Sequence, residues 1–244
     1  MRRFRITIAQ RIWIGFGVLI IFMIIYALGA NSAISRNQKI NQQITENYSP
    51  SLLLLKDLFN SVDESRMLTR SWVFIDKNPE SRYRKDLLMI HDKTISGIDE
   101  SIKRLNKSWL PEQQKSYDHI YLLLVDSLIP MQQEIIRQLP DAESYSNTVN
   151  LYELSQQVQE GGKLTILTDE IINELSILIN KQVDQIDKSD RQIITDYSSF
   201  TNTLMLMTLV LILISVIIPK PSVLSPSVTS FIASSKDFSI VLAK

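Results

Sequence analysis

Two long apolar stretches constrain this chain more than any other feature of its sequence. Residues 200–218 read FTNTLMLMTLVLILISVII, and no charged side chain lies between Asp196 and Lys220. Residues 12–30 read IWIGFGVLIIFMIIYALGA and are equally free of charge. Because a helix rises about 1.5 Å per residue, about 20 such residues cross a hydrocarbon core of about 30 Å. We expect a transmembrane helix in each stretch, since the remaining sequence offers no sheet or large core that would bury them.

Charged residues beside the two stretches predict their orientation. Basic residues precede the first stretch with no acidic residue among them, and Lys220 follows the second. The basic residues before the first stretch are Arg2, Arg3, Arg5 and Arg11. Since Lys and Arg favour the cytoplasmic side of a span, residues 1–11 and 219–244 should be cytoplasmic and residues 31–199 periplasmic or extracellular. The sequence predicts a two-pass protein of the inner (cytoplasmic) membrane.

A cleavable signal peptide is the alternative interpretation of the first stretch. A basic start, an apolar run and small residues at Gly29, Ala30 and Ala33 are features of such peptides. The apolar run is long for a signal peptide, and Leu28 is a poor residue just before a cut after Ala30. We expect an uncleaved anchor. After cleavage, the outer domain would be held by the second stretch alone.

The segment between the two stretches shows helical periodicity throughout. Apolar side chains recur at steps of three and four residues, and no strand-like alternation of useful length occurs. The predicted helices cover residues 31 to about 75, 79–107, 110–138 and 146–218. Because the connections are short, neighbouring helices should be antiparallel. The predicted fold is all-α, an antiparallel up-down-up-down four-helix bundle over residues 31–199 flanked by transmembrane helices 12–30 and 200–218.

Proline and glycine mark the expected interruptions of these helices. Pro50 should cause a kink or a short break in the first helix, and Pro130 should bend the third. Asn78 is a candidate cap for the second helix, with Pro79 at its first helical position. The pair Gly161–Gly162 is the weak point of the last helix, and it fits either a packing crossover or a local kink.

The segment carries no grouping of side chains that is typical of an enzyme. His91 and His119 lie on different predicted helices, without the spacing of a metal site. His91 falls on an apolar helix face, which favours a core histidine bonded to a neighbour over a ligand or a pH sensor. The adjacent carboxylates at 63–64, 99–100 and 169–170 point in different directions on a helix and should be solvated. We expect no enzyme activity, no catalytic residue, no metal and no cofactor.

The overall composition bears on nucleic-acid binding and on disulfide bonds. The formal net charge is zero, which gives no reason to expect a nucleic-acid partner. The chain contains no cysteine, so an exported domain would be held by packing alone.

One pair of residues is the candidate ligand site. Arg66 and Arg70 lie one helical turn apart in the sequence ESRMLTRSW. Two positive charges at this spacing repel weakly unless an acidic group lies between them. Salt bridges to acids on neighbouring helices are one interpretation. The other is a binding site for an anionic ligand, because guanidinium groups match carboxylates in their hydrogen-bonding geometry.

Several segments together suggest a family. They are RRFRITIAQRIWIGFGVLIIFMI at the start, YSPSLLLLKDL at 48–58, ESRMLTRSW at 64–72 and the unbroken run of the last helix into the second apolar stretch. With this layout the chain resembles bacterial transmembrane sensory receptors of the chemoreceptor and sensor-histidine-kinase type. The outer region looks like the four-helix-bundle sensor domain of methyl-accepting chemotaxis proteins. The resemblance implies a homodimer that senses an unknown small-molecule or protein ligand outside and transmits a helix shift through the bilayer.

The C-terminal segment departs from that family. In such receptors the second span leads into a HAMP linker and an output domain, whereas residues 219–244 are too short for both. The stretch SVLSPSVTSFIASS also lacks the amphipathic pattern of a HAMP helix. A truncated chain, a shifted reading frame and signalling through a separate partner are the three explanations. The alternative function is a membrane-anchored structural or adaptor protein that binds partners without signalling.

Overall fold

The computed structural model describes residues 8–75, 78 and 80–217. This part of the chain consists of helices and turns without a strand, so the all-α prediction is confirmed. The helices are α1 (Ile8–Gln43), α2 (Ser49–Phe74), α3 (Arg82–Met89), α4 (Ile95–Leu105), α5 (Pro111–Leu123), α6 (Ile129–Gln138), α7 (Thr148–Val158) and α8 (Lys163–Ile217). The predictions for residues 1–7, Pro79 and residues 218–244 lie outside the described residues.

The chain divides into two compact units. Within the described residues, one unit consists of residues 8–36 and 194–217, which we call the apolar helix pair. The other consists of residues 37–193, which we call the packed region. The outer domain of residues 31–199 stays a prediction.

The packed region has an apolar core to which α2 through α8 all contribute. The most connected helix is α2, which contacts α3, α4, α6 and α7. Trp72 on α2, Ile135 on α6 and Leu175 on α8 have no exposed surface. Within the longer helices, the buried apolar residues recur at steps of three and four, so each of these helices turns one apolar stripe toward the core. Full burial of a large apolar side chain contributes about 1.5–3 kcal/mol, which makes this core the main source of stability.

Proline explains two π-helical turns in the packed region. The turn Ile44–Tyr48 ends two residues before Pro50, and the turn Leu124–Leu128 ends two residues before Pro130. Proline has no N–H, and its ring clashes with the carbonyl four residues earlier, so the α-helical ladder has to widen there. The helical path continues past both prolines, and Pro50 causes no break.

The predicted fourth helix over residues 146–218 is two helices, and the single-helix prediction is wrong. Gly161, between α7 and α8, has a φ of 78°, a conformation that residues with a side chain rarely adopt. A Cβ on Gly162 would lie 2.3 Å from the carbonyl oxygens of Gln156 and Gln157. The glycine pair therefore forms a complete helix break that a larger residue could not fit without a shift of the backbone.

The second helical run begins later than predicted. Its cap is Ser81, whose Oγ accepts a hydrogen bond from the N–H of Tyr83 at 3.1 Å. Asn78, the predicted cap, accepts from the N–H of Glu80 at 3.0 Å in the preceding turn. The observed cap therefore lies three residues after the predicted one. Both side chains are good hydrogen-bond acceptors, and the course of the backbone decides which of them caps the helix.

The apolar helix pair leaves its hydrophobic side chains exposed. Trp13 is 81% exposed and Met205 is 75% exposed. The two helices that contain the apolar stretches are long and apolar enough to cross a membrane, and none of the residues in the most apolar part of either helix is buried. The rings of Tyr26 and Phe200 stack with their centroids 5.7 Å apart, so α1 and α8 are in contact within this unit.

Candidate functional site

The predicted ligand site is already occupied in part by protein carboxylates. Arg66 donates from Nη1 to Oδ1 of Asp169 on α8 at 2.6 Å, and from Nη2 to Asp63 on its own helix. Arg70, one turn later on α2, is exposed and forms no ion pair with another described residue. The salt-bridge interpretation therefore describes Arg66. An anionic ligand site at Arg66 and Arg70 stays a prediction, and such a ligand would compete with Asp63 and Asp169.

Beneath this surface, a chain of buried polar side chains crosses the core. His91 Nε2 lies 2.7 Å from Oε1 of Gln132, and Nε2 of Gln132 donates to Oγ of Ser65 at 3.0 Å. Ser65 in turn donates to the carbonyl of Val62 at 2.8 Å. These side chains are at most 5% exposed, so the chain links α2, α6 and the segment around His91 without contact with water.

The direction of these hydrogen bonds fixes the tautomer of His91. The hydroxyl proton of Ser65 points to a carbonyl, so Ser65 has only lone pairs to offer to the amide of Gln132. The amide nitrogen of Gln132 must then face Ser65, and its oxygen must face His91. Because an amide oxygen only accepts, His91 carries its proton on Nε2. Nδ1 is a bare acceptor, and it is buried without a hydrogen-bond partner among the described residues.

The backbone at His91 is unusual as well. His91 lies in the π-helical turn Ile90–Thr94, and no proline follows this turn as one follows the other two. Burial lowers the pKa of His91, and the hydrogen bond to Gln132 opposes this only in part. The sequence-based prediction of a core histidine bonded to a neighbour is confirmed.

A second buried cluster corrects a prediction about carboxylates. Asp99 was expected on a solvated face, yet its side chain is 7% exposed. It accepts a hydrogen bond from the hydroxyl of Tyr117 at 2.9 Å and pairs with Nζ of Lys103 at 2.7 Å. The ring of Tyr121 lies under Lys103, 4.8 Å from Nζ to the centroid. Burial, followed by the charge of Asp99, raises the pKa of Tyr117, so this hydroxyl stays a donor at ordinary pH.

Other polar groups lie apart from these two clusters in the part of the chain that the structure describes. No cluster of three or more His, Asp or Glu side chains that could hold a metal ion occurs there. His119 lies 3.5 Å from Glu174 and is more than half exposed. Gln182 on α8 is completely buried, and both of its amide atoms are without a hydrogen-bond partner among the described residues.

Sequence reasoning missed the buried polar residues Gln132, Ser65 and Gln182. Glutamine and serine are common on helix surfaces, so residue type alone does not place them inside. The available signal is position. Ser65 falls three residues after Val62 and three before Leu68, so it occupies the inward stripe of α2.

Comparisons with protein-family models, with curated proteins and with solved structures give no match for this chain.

Proposed function

We propose that the protein is a membrane-bound sensory receptor, in which the packed region is an outer sensor domain and α8 transmits its state through the bilayer. The observation that carries the proposal is the continuity of α8, which runs for 55 residues from Lys163 to Ile217 without a break. At about 1.5 Å per residue this helix is about 80 Å long. One continuous helix therefore contributes to both the buried core and the apolar helix pair.

The pairing of α2 with α8 supports a bundle. Arg66 on α2 pairs with Asp169 on α8. Earlier on α2, Lys56 lines a surface groove together with Asn180, which is later on α8. Residue numbers fall along one helix as they rise along the other, so the two helices are antiparallel.

The pairing of the middle helices supports the same topology. His91, before α4, bonds to Gln132 on α6, whereas Asp99 on α4 bonds to Tyr117 on α5. These two runs are therefore antiparallel as well. We propose the up-down-up-down four-helix bundle, formed in turn by α2, by α3 with α4, by α5 with α6, and by α7 with α8.

Hydrophobic exposure supports the membrane placement. Trp13 and the apolar side chains of residues 15–30 and 200–213 are at least partly exposed, where water would not be a favourable solvent for them. Basic residues flank both stretches on the same predicted side. A two-pass topology in the inner membrane, with both termini cytoplasmic and the packed region outside, accounts for both facts.

In the proposed mechanism, a small-molecule or protein ligand outside favours one of two arrangements of the bundle. A shift of α8 along or about its axis then crosses the bilayer, because a continuous helix moves as one body. From the resemblance to sensory receptors we also propose that the protein is a homodimer. An adaptor that only binds partners would need no such movement.

The topology is tested with single cysteines, since the chain has none of its own. Lys107→Cys lies on an exposed loop of the packed region, and Arg3→Cys lies in the N-terminal segment. A membrane-impermeant maleimide applied to intact cells should label Lys107→Cys, and should label Arg3→Cys only after permeabilisation. The reverse pattern, or equal labelling of both, would exclude the proposed topology.

Transmission is tested without knowledge of the ligand. A cysteine-free kinase output region is fused after Ile217, and Arg66→Cys and Asp169→Cys are bridged by a short bifunctional thiol reagent that ties α2 to α8. Seven alanines inserted after Asp196 keep the helix and add two turns, whereas seven glycines make that stretch flexible. Bridging should change the kinase activity of the alanine variant and of the fusion without an insert, and leave the glycine variant unchanged. An equal change in the glycine variant refutes transmission through α8, and no change in any of them favours the adaptor.

A further inference from the structure

A groove within the apolar helix pair has a graded lining. It lies between α1 and α8 and has a volume of about 300 Å³. One end is apolar, with Ile25 on α1 and Met207 on α8. The other end is polar and contains Arg36 and Asp196. A Cβ added to Gly29, which lies between the two ends, would meet no atom within 4 Å, so the groove is open along this wall.

The two charges at the polar end are neighbours that do not satisfy each other. Nη1 of Arg36 lies 3.5 Å from Oδ2 of Asp196, and the pair forms an ion pair without a hydrogen bond. The side chain of Arg36 is 59% exposed, which leaves guanidinium donors free for another acceptor. The side chain of Asp196 is only 20% exposed, and its Oδ2 is buried without a hydrogen bond from a described residue. The guanidinium of Arg36 can therefore still donate a hydrogen bond, and the neighbouring carboxylate of Asp196 can still accept one.

We infer that this groove binds the phosphoethanolamine headgroup of a membrane phospholipid. The phosphate lies on the guanidinium of Arg36, which suits two phosphate oxygens at once. The ammonium donates to the carboxylate of Asp196, whose side chain is 20% exposed, and the glycerol and acyl groups follow the lining toward Ile25 and Met207. The inference rests on the membrane placement in the proposed function, because only a bilayer supplies this amphipathic ligand at the end of two spanning helices.

The pair of charges selects among headgroups. A phosphatidylglycerol satisfies Arg36, and its glycerol hydroxyls can donate to Asp196, but it brings no cation to balance the charge of that carboxylate. A phosphatidylcholine brings a cation, but its quaternary ammonium has no N–H to donate to the carboxylate of Asp196. Phosphatidylethanolamine supplies both the phosphate and the N–H donors. Since a hydrogen bond to a charged group contributes about 1.5–3 kcal/mol, and about 1.4 kcal/mol is a factor of ten, we expect at least tenfold tighter binding than for the other two lipids.

The experiment measures lipid binding to the full chain in detergent micelles by native mass spectrometry. Phosphatidylethanolamine, phosphatidylcholine and phosphatidylglycerol with identical acyl chains are titrated separately. The native chain should prefer phosphatidylethanolamine about tenfold. Asp196→Asn should reduce that preference to the level of phosphatidylcholine, and Arg36→Gln should weaken all three lipids. Asp187→Asn removes an exposed carboxylate outside the groove and should keep the native preference.

Several outcomes overturn the inference. Equal binding of the three lipids by the native chain does so, as does a preference that survives in Asp196→Asn. Soluble phosphoethanolamine competing as well as the lipid would show that the apolar end contributes nothing, and a dimer that dissociates in Asp196→Asn would show a second copy in the groove. Flotation with phosphatidylethanolamine vesicles distinguishes a failure of the headgroup site from a failure of the membrane placement. A chain that floats without lipid preference refutes only the headgroup site, whereas a chain that does not float refutes the membrane placement and the site together.

Discussion

The two units of this molecule use the same residue types in opposite ways, and α8 shows both within one helix. In its part within the packed region, Leu164, Leu175 and Leu178 are at most 1% exposed. In its part within the apolar helix pair, Leu206 is 67% exposed and Leu213 is 52% exposed. Leucine gains free energy by leaving water wherever it is placed, at about 25 cal/mol per Å² of buried area. The packed region provides its own apolar surroundings, and the apolar helix pair needs them from outside.

Polar side chains are also buried in the packed region, where they bond to each other. The packed region buries Ser65, Gln132 and His91 in one hydrogen-bonded chain. A buried polar chain costs little only when each member has a partner, so it restricts how the helices can shift against each other. Some buried polar atoms have no hydrogen-bond partner among the described residues, including Nδ1 of His91 and both amide atoms of Gln182, so the hydrogen bonding of this core is incomplete. In the sensor that we propose, a change in helix packing could give these polar atoms a hydrogen-bond partner.

Truncating one leucine on each part of α8 is the strongest test of the contrast. Leu175→Ala should lower the free energy of unfolding of the packed region by about 2–5 kcal/mol, because it opens a cavity in the core. Leu206→Ala, on the same helix, should change it by less than about 0.5 kcal/mol. Urea unfolding in detergent micelles, followed by circular dichroism, measures both. Similar losses would mean that residues 200–213 are packed against protein.

Two buried glutamines should respond with opposite signs to the same substitution. Gln132→Leu leaves Nε2 of His91 without a partner and removes the donor to Oγ of Ser65, so it should lower the free energy of unfolding by about 1–3 kcal/mol. Gln182→Leu removes an amide that has no partner to lose, and should raise it by about 1 kcal/mol. The same urea titrations compare them. A loss of stability in Gln182→Leu equal to that in Gln132→Leu would show that the amide of Gln182 is bonded in solution.

Acid should weaken the packed region through His91. Burial lowers the pKa of His91 in the folded state, so below about pH 6.5 the unfolded chain binds more protons at this residue. The free energy of unfolding should therefore fall as the pH drops below about 6.5, by at most about 1.4 kcal/mol per pH unit, until the lowered pKa is reached. Unfolding at pH 7.5 and 5.0 should show a smaller loss in His91→Gln than in the native chain. His119→Gln, at a half-exposed histidine, is the control and should behave like the native chain.

The smallest effects belong to the two arginines of the predicted ligand site. Arg66→Gln breaks a partly exposed ion pair with Asp169 and should cost less than about 1 kcal/mol. Arg70→Gln should have no measurable effect on stability. Calorimetric titration with a panel of mono- and dicarboxylates checks the ligand hypothesis, because both substitutions should abolish any binding that the native chain shows. If replacing both arginines leaves every carboxylate response unchanged, the anionic site is refuted.

Sequence reasoning succeeded where a pattern repeats over many residues. The all-α class followed from steps of three and four that persist across most of the chain. It failed at single positions. The break at Gly161 was considered only as a kink or a crossover, since two glycines are compatible with several backbone courses. Asp99 was assigned to solvent because adjacent carboxylates such as Asp99 and Glu100 point in different directions on a helix, and the sequence does not reveal that Tyr117 lies opposite.

The sequence by itself determined that this chain is helical, that two stretches are apolar and uncharged, and that His91 lies on an inward face. These properties depend on residue type and spacing, which are local. Only the tertiary structure decided that Gln132 joins His91 to Ser65, that Asp169 holds Arg66, and that Arg36 and Asp196 share one groove. Each of these contacts joins residues that are far apart in the sequence. Their pairing depends on how side chains fill space between helices, and no local pattern encodes that.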